Sequence, residues 1–157
     1  ISYVPQDIHL FGGTIKQNIL GIHKFIDDEW MLECSKMSGT DEFVRMHPAG
    51  YDMPLGERGA GLSGGQRQSV GIARALINNS DIWMFDEPTN AMDQTSESIV
   101  LNNLMSKIEG KTLLLVTQKM SMVDLVDRII VMNFGTKVLD GPKDEIINKL
   151  GNSGEKQ

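Results

Sequence analysis

Two short stretches, some twenty residues apart, constrain this chain more than anything else in it: Leu62-Ser63-Gly64-Gly65-Gln66 and Ile82-Trp83-Met84-Phe85-Asp86-Glu87. The first is a serine and two glycines opening directly into a helical pattern. Such a turn aims unpaired backbone N–H groups and the positive end of the helix dipole outward, which suits a phosphate. The second is an apolar run ending in paired carboxylates, and hard oxygens at a strand end suit Mg²⁺ and an attacking water. Alone, the serine and glycines read as a helix cap with a permissive turn, and Asp86-Glu87-Pro88 as a strand-end turn. Their order, with an apolar helix between them, joins them into one reading: one half holds polyphosphate and the other helps cleave it.

The flanking rhythm places both halves in an α/β protein. Ile1 to Val4 is a β-type run stopped by Pro5, with Gln6 at its end. Thr14 to Leu20 forms a short helix with Ile15 and Ile19 on one face. Asp27, Asp28 and Glu29 supply the cap and acidic first turn of a helix to about Met37, and Thr40 caps another carrying Phe43 and Val44. Residues 49 to 61 read as a loop, and no strand is expected from Asp7 to Ala49, so a helical subdomain of about 7–78 follows the first strand. Gln66 to about Asn78 is apolar nearly all round. Asp81 to Asp86 is a strand, and Thr95 to Glu109 a helix with Leu101, Leu104, Met105 and Ile108 in register. Thr112 to Thr117 reads as a strand buried on both faces of a parallel sheet. Asp127–Met132 and Thr136–Leu139 flank Asn133-Phe134-Gly135 as a hairpin, Pro142 begins a last helix, and 151–157 is a polar, disordered tail. The alternation of strand and helix is a layered α/β pattern in one domain of about 1–150.

Composition narrows the function classes. At 157 residues, 40% apolar and 23% charged, the chain can build one real core. A net charge of −6 offers no basic footprint for nucleic acid. The single cysteine, Cys34, excludes an internal disulfide and fits a reducing compartment; it is expected to pack with Met31 and Met37. No apolar run approaches the about 18 residues of a membrane span. Ile1-Ser2-Tyr3-Val4 is already strand-like, and a piece of a longer polypeptide is expected.

Taken together, these motifs strongly resemble the nucleotide-binding domain of ABC transporters, from Tyr3 to about Leu150. Leu62–Gln66 matches the family's signature motif, Ile82–Asp86 its Walker B strand, and Asn90-Ala91-Met92-Asp93 its D-loop. Gln6 falls at the Q-loop, and Gly56-Glu57-Arg58-Gly59 is similar to the X-loop of exporters. The resemblance implies a P-loop NTPase-like ABC ATPase core with a mostly parallel sheet, incomplete here, and an inserted α-helical subdomain. It implies that Asp86 and Gln6 serve Mg²⁺, that Glu87 polarises the attacking water, and that Gln6 couples the site to membrane domains. Ser63, Gly64, Gly65 and Gln66 would meet ATP held mainly by an opposing subunit in a head-to-tail dimer, with Asp93 at its interface. Glu57 and Arg58 would contact the transporter's membrane portion, the alternative being solvated loop charges.

Two departures stand out. The chain has no Walker A loop: Gly110-Lys111-Thr112 lacks the first glycine of G-x-x-x-x-G-K-[ST] and precedes a strand instead of following one. It reads as a helix-to-strand turn, with the true loop expected upstream and this chain expected to bind ATP poorly alone. Gln118 stands where the family has its switch histidine; an amide donates a hydrogen bond but carries no mobile proton. Further resemblance is to bacterial type I secretion ATPases, through Ala91-Met92-Asp93, residues 45–52, and the segments 126–128 and 141–142. Those export repeat-containing toxins or adhesins at the cytoplasmic face of the bacterial inner membrane, with a membrane-fusion protein and an outer-membrane channel. Exporters of peptides, lipids and drugs share most of these features. A non-hydrolysing module that regulates a partner through ATP-dependent dimerisation is the rival, and intact Glu87 argues against it. A DNA-acting ABC ATPase predicts a long coiled coil between the motifs, which the insert is too short to supply.

Overall fold

The structure is a computed structural model that describes residues 1–23 and 26–154. β1 (Ser2–Val4) ends at Pro5, and β2 (Gly13–Thr14) leads straight into α1 (Ile15–Leu20). Thr14 caps α1 reciprocally: Gln17 N donates to its hydroxyl at 3.1 Å, and Thr14 N donates to Gln17 Oε1 at 2.9 Å. α2 (Asp28–Met37) buries Met31, Cys34 and Met37, and α3 (Thr40–Val44) follows at once. Two expected caps are corrected. Asp27 stands at the N-cap of α2 without a side-chain cap bond, and the cap of α3 is Gly39, in the left-handed region. Thr40 is already helical, its hydroxyl paired with Ser38 at 2.8 Å, because only the glycine accommodates the sharp turn between the helices.

β3 (Pro54–Leu55) pairs antiparallel with β2, so the expectation of no strand between Asp7 and Ala49 is overturned. Two residues per strand carry no alternation for a sequence pattern to detect. α4 (Gly64–Leu76) begins two residues earlier than expected, capped by Ser63. β4 (Ile82–Asp86) follows, then α5 (Gln94–Met105), which ends before Glu109 and leaves Ile108 outside it. Glu97, Val100 and Leu104 are its buried residues, while Met105 is exposed. β5 (Thr112–Val116) completes a parallel sheet in the order β1-β4-β5. Val4 stands opposite Phe85 and Phe85 opposite Leu115.

This sheet is one-sided. Val4, Trp83 and Phe85 point into the core, with the last two rings stacked at 5.7 Å, and α4 packs against β1. The other face leaves Tyr3, Leu114 and Val116 each more than half exposed. The expectation that β5 is buried on both faces is therefore corrected. Its apolar run is that of a two-sided strand, but α4 covers one side and no described neighbour in the sheet lies beyond β5.

The chain divides into two units, Ile1–Gln118 and the residues from Lys119 onward. The helical region and the sheet share the first unit, since α4 touches α1, α2, α3 and β1 alike. In the second unit a 3₁₀ turn (Met120–Leu125) precedes the hairpin of β6 (Arg128–Asn133) and β7 (Thr136–Pro142). Phe134 and Gly135 form its turn with φ 45° and 74°, the two left-handed residues that match the twist of the strands. β7 runs through Pro142, so the last helix, α6 (Lys143–Gly154), starts one residue later than expected. α6 also takes in residues 151–154, correcting the expected tail there; the remainder of that tail, 155–157, lies outside the described residues. No described helix is long and apolar enough to cross a membrane.

Candidate functional site

The parallel sheet brings Gln6, Asp86-Glu87 and Gln118 to one end. Each follows or closes the carboxyl end of its strand, the end at which open α/β sheets bind ligands. Asp86 closes β4 opposite Val116, and Glu87 follows it, both half-buried, while Gln6 and Gln118 are exposed. Glu87 is held in an unusual backbone state, φ 46°, which a residue with a Cβ adopts at a cost. Its N–H donates to Val116 O at 2.8 Å, and its carbonyl accepts from Asn90 N at 3.2 Å and from Gln68 Nε2 at 3.2 Å. The peptides on both sides are thus fixed, and with them the direction in which the Glu87 side chain leaves the main chain. Thr117 Oγ1 reaches Glu87 Oε2 at 3.5 Å, the outer limit of a hydrogen bond.

Asp86 and Glu87 supply hard oxygens, and among the described residues no cluster of three or more acidic, His or Cys groups forms a metal cage. Mg²⁺ takes one or two carboxylates and completes its shell with water and phosphate, so this sparse donor set suits it.

The start of α4 is the second part of the site. Ser63 makes a capping box with Gln66: Gln66 N donates to Ser63 Oγ at 3.1 Å, and Ser63 N donates to Gln66 Oε1 at 2.9 Å. Gly64 and Gly65 allow a close approach that a side chain would crowd. A Cβ on Gly65 would stand 3.1 Å from Ala91 O and 3.3 Å from Met92 Cα, and one on Gly64 would stand 3.1 Å from Ala91 Cβ. The helix start is therefore seated on the 87–93 turn, beside a hollow of about 310 Å³ lined in part by Ser63, Gly65, Gln66, Met92 and Asp93. Asp93 caps α5, accepting from Ser96 N at 2.9 Å and Ser96 Oγ at 2.7 Å, and these bonds hold its carboxyl below the ordinary value. Thr89 Oγ1 donates to the buried Glu97 at 3.0 Å, tying the same turn to α5.

Glu57 and Arg58 are exposed on a 3₁₀ turn in which Arg58 has φ 56°, and the turn leads into the start of α4 through the bond from Leu62 N to Gly59 O at 3.1 Å. The Gly110-Lys111-Thr112 turn is a structural element. Gly110 has φ 77°, Lys111 Nζ donates to Ser80 O at 3.0 Å and to Asn79 Oδ1 at 3.2 Å, and its charge lies 5.4 Å from the centre of the Trp83 ring.

Two residues escaped the sequence reading. Gln68 is buried against the 87–93 turn, and Arg74 donates to Asn18 O at 2.7 Å, His9 O at 2.9 Å and Asn18 Oδ1 at 3.0 Å, with burial lowering its pKa. The available signal was their polarity in a helix otherwise apolar nearly all round.

Comparison with known proteins adds independent weight. The family model described as ABC transporter matches residues 1–90. The chain is 40% identical over 147 residues to the leukotoxin translocation ATP-binding protein LktB of Mannheimia glucosida and of Mannheimia haemolytica. That match covers 94% of this chain and 21% of each relative, so the chain spans about a fifth of their length. Among solved structures, a bacterial Atm1-family ABC exporter with ATP bound superposes with a TM-score of 0.88 at 31% identity, over 94% of this chain and 26% of that one.

Proposed function

Because this chain belongs to the ABC transporter family, we propose that it is part of the ATP-hydrolysing domain of a bacterial exporter of the type I secretion kind. The observation that carries the reading is the locked Glu87 beside Asp86 at the carboxyl end of β4. A carboxylate aimed by fixed peptides is suited to orienting and polarising the water that attacks a γ-phosphate. Asp86, with the amide oxygen of Gln6, would hold Mg²⁺, which when bound neutralises charge on the transferring phosphoryl group. The α4 start, with Ser63, Gly64, Gly65 and Gln66, would offer N–H groups and a dipole to ATP held across a head-to-tail dimer, with Asp93 at that interface. Glu57 and Arg58, both exposed, would face the transmembrane domains.

The domain would span about 1–150, with its helical part at about 7–78. The apolar sheet face of Tyr3, Leu114 and Val116 supports a place for a further packed layer, such as the helix that follows a phosphate-binding loop, in a longer polypeptide. The likeness to the leukotoxin translocation proteins supports protein cargo of the toxin or adhesin class, and with it the reading carries a membrane-fusion protein and outer-membrane channel as partners and the cytoplasmic face of the inner membrane as location. Exposed Gln118 favours a second reading, a module that binds ATP to dimerise and regulate without turnover. ATP turnover by the complete polypeptide separates the two. In the exporter reading Glu87→Gln abolishes turnover, and Gln118→His raises it several-fold by restoring a titratable donor. Absence of turnover in the parent and in Gln118→His, with Glu87→Gln silent, establishes the regulatory module instead.

A further inference from the structure

Gln68 sits one turn into α4 with 4% of its surface exposed, and its amide is spent entirely on one turn of chain. Nε2 donates to Glu87 O at 3.2 Å and to Asn90 Oδ1 at 2.8 Å, and Oε1 accepts from Ala91 N at 2.8 Å. Both donor hydrogens and the acceptor oxygen are used, on partners nineteen to twenty-three residues away. Gly65 lies three positions earlier, on the same helix face, and its Cα region abuts Ala91 and Met92.

We propose that Gln68 is a positioning residue for ATP hydrolysis: it holds the Glu87 carbonyl and the 90–91 peptide so that the Glu87 carboxylate keeps its aim, and it ties that aim to the phosphate-facing start of α4. Glu87 has φ 46°, and its N–H is anchored on Val116 O. A left-handed residue relaxes toward negative φ unless it is held from both sides. Val116 holds the N-terminal side; on the C-terminal side Gln68 is the side chain that does so, together with the local bond from Asn90 N. Loss of the amide lets the peptide after Glu87 rotate, which swings the carboxylate away from a water while leaving the α4 N–H groups in place. Any shift of the start of α4, seated on residues 91–92 through Gly64 and Gly65, is conveyed to the same peptide. The inference rests on the reading of Glu87 as the residue that orients the attacking water.

The test uses the complete polypeptide carrying this chain, with steady-state Mg-ATP hydrolysis and thermal melting measured side by side. Gln68→Met keeps the length and removes the amide, and it lowers kcat at least ten-fold with KM for ATP within about three-fold of the parent. Gln68→Glu keeps an acceptor for Ala91 N but loses both donors, and it falls to the same low kcat. A folded Gln68→Met with kcat within two-fold of the parent overturns the proposal. So does Gln68→Glu at the parental rate, or a loss spread equally over kcat, KM and melting temperature, which marks a purely structural role. If Gln68→Met does not fold, Asn90→Ala carries the test. This exposed side chain loses one acceptor, and kcat lowered three-fold or more at constant KM supports the proposal while unchanged kcat refutes it. The underlying reading fails in a different way: a parent without turnover, or Glu87→Gln at the parental rate, removes the hydrolytic function and this inference with it.

Discussion

Replacing Glu87 by alanine and, separately, by glycine removes the same carboxylate while asking two different things of the main chain. At φ 46° a residue with a Cβ is strained by roughly 1–2 kcal/mol, and glycine is not. Glycine instead loses more unfolded-state freedom on folding, about 0.5–1 kcal/mol relative to alanine. The backbone cannot escape by rotating, since Glu87 N is bonded to Val116 O at 2.8 Å and Glu87 O to Gln68 Nε2 at 3.2 Å. The difference leaves Glu87→Gly more stable than Glu87→Ala by about 0.7 kcal/mol, the middle of a range of roughly 0–1.5 kcal/mol. At an ordinary negative φ the sign reverses, with alanine ahead by about 0.5–1 kcal/mol. Equilibrium urea unfolding of the two variants at equal m reads the difference directly. In melting experiments the glycine variant stands about 1–4 °C higher, for a protein of this size. Both variants lack ATP turnover in the exporter reading. An alanine variant more stable than the glycine variant refutes the left-handed conformation of residue 87, and with it the argument that the main chain aims the carboxylate.

Arg74→Ala breaks three donated hydrogen bonds to Asn18 and His9 and a cation–π contact 5.8 Å from the centre of the Phe11 ring. It costs about 2–4 kcal/mol in urea unfolding, and a cost below about 1 kcal/mol refutes the clamp. Cys34 is fully buried, and burial pushes its thiol up to about 12. Native protein at pH 8 therefore resists alkylation and reacts once unfolded, as mass spectrometry reads out. Because the folded pKa is raised, this group's contribution to stability is complete below the unfolded thiol's pKa of about 8.5 and is lost as pH rises toward 12. The bonds from Arg128 and Lys137 hold Asp140 down to about 2. Its carboxylate, followed by NMR, titrates near that value, and the depressed pKa stabilises the hairpin above about pH 4 and is lost as pH falls through 2. Salt weakens the effect because its partners Arg128 and Lys137 are exposed.

The parts of this protein that sequence reading reached are those governed by local rules. Ser63 announces a helix cap, Pro5 stops a strand, and Asn133-Phe134-Gly135 marks a hairpin, each within a few positions of the partner it needs. The one-sided register of β1-β4-β5 was not legible, because an apolar run such as Leu113–Val116 looks the same whether one face or both are covered. The pairing of Gly13-Thr14 with Pro54-Leu55 was equally hidden, since two residues carry no period.

By itself, the order of glycine turn, apolar helix, apolar strand and paired carboxylates determined the α/β class and singled out Ser63, Asp86 and Glu87 as residues of the proposed site. It did so because phosphate and Mg²⁺ chemistry demand particular groups at particular chain positions. Only the tertiary structure decided that Glu87 would be held in a left-handed backbone, that Gln68 would grip the peptide after it, and that Gly65 would be seated on Met92. Those contacts join residues nineteen or more positions apart, and their energies depend on distances that exist only once α4 has packed beside the 87–93 turn.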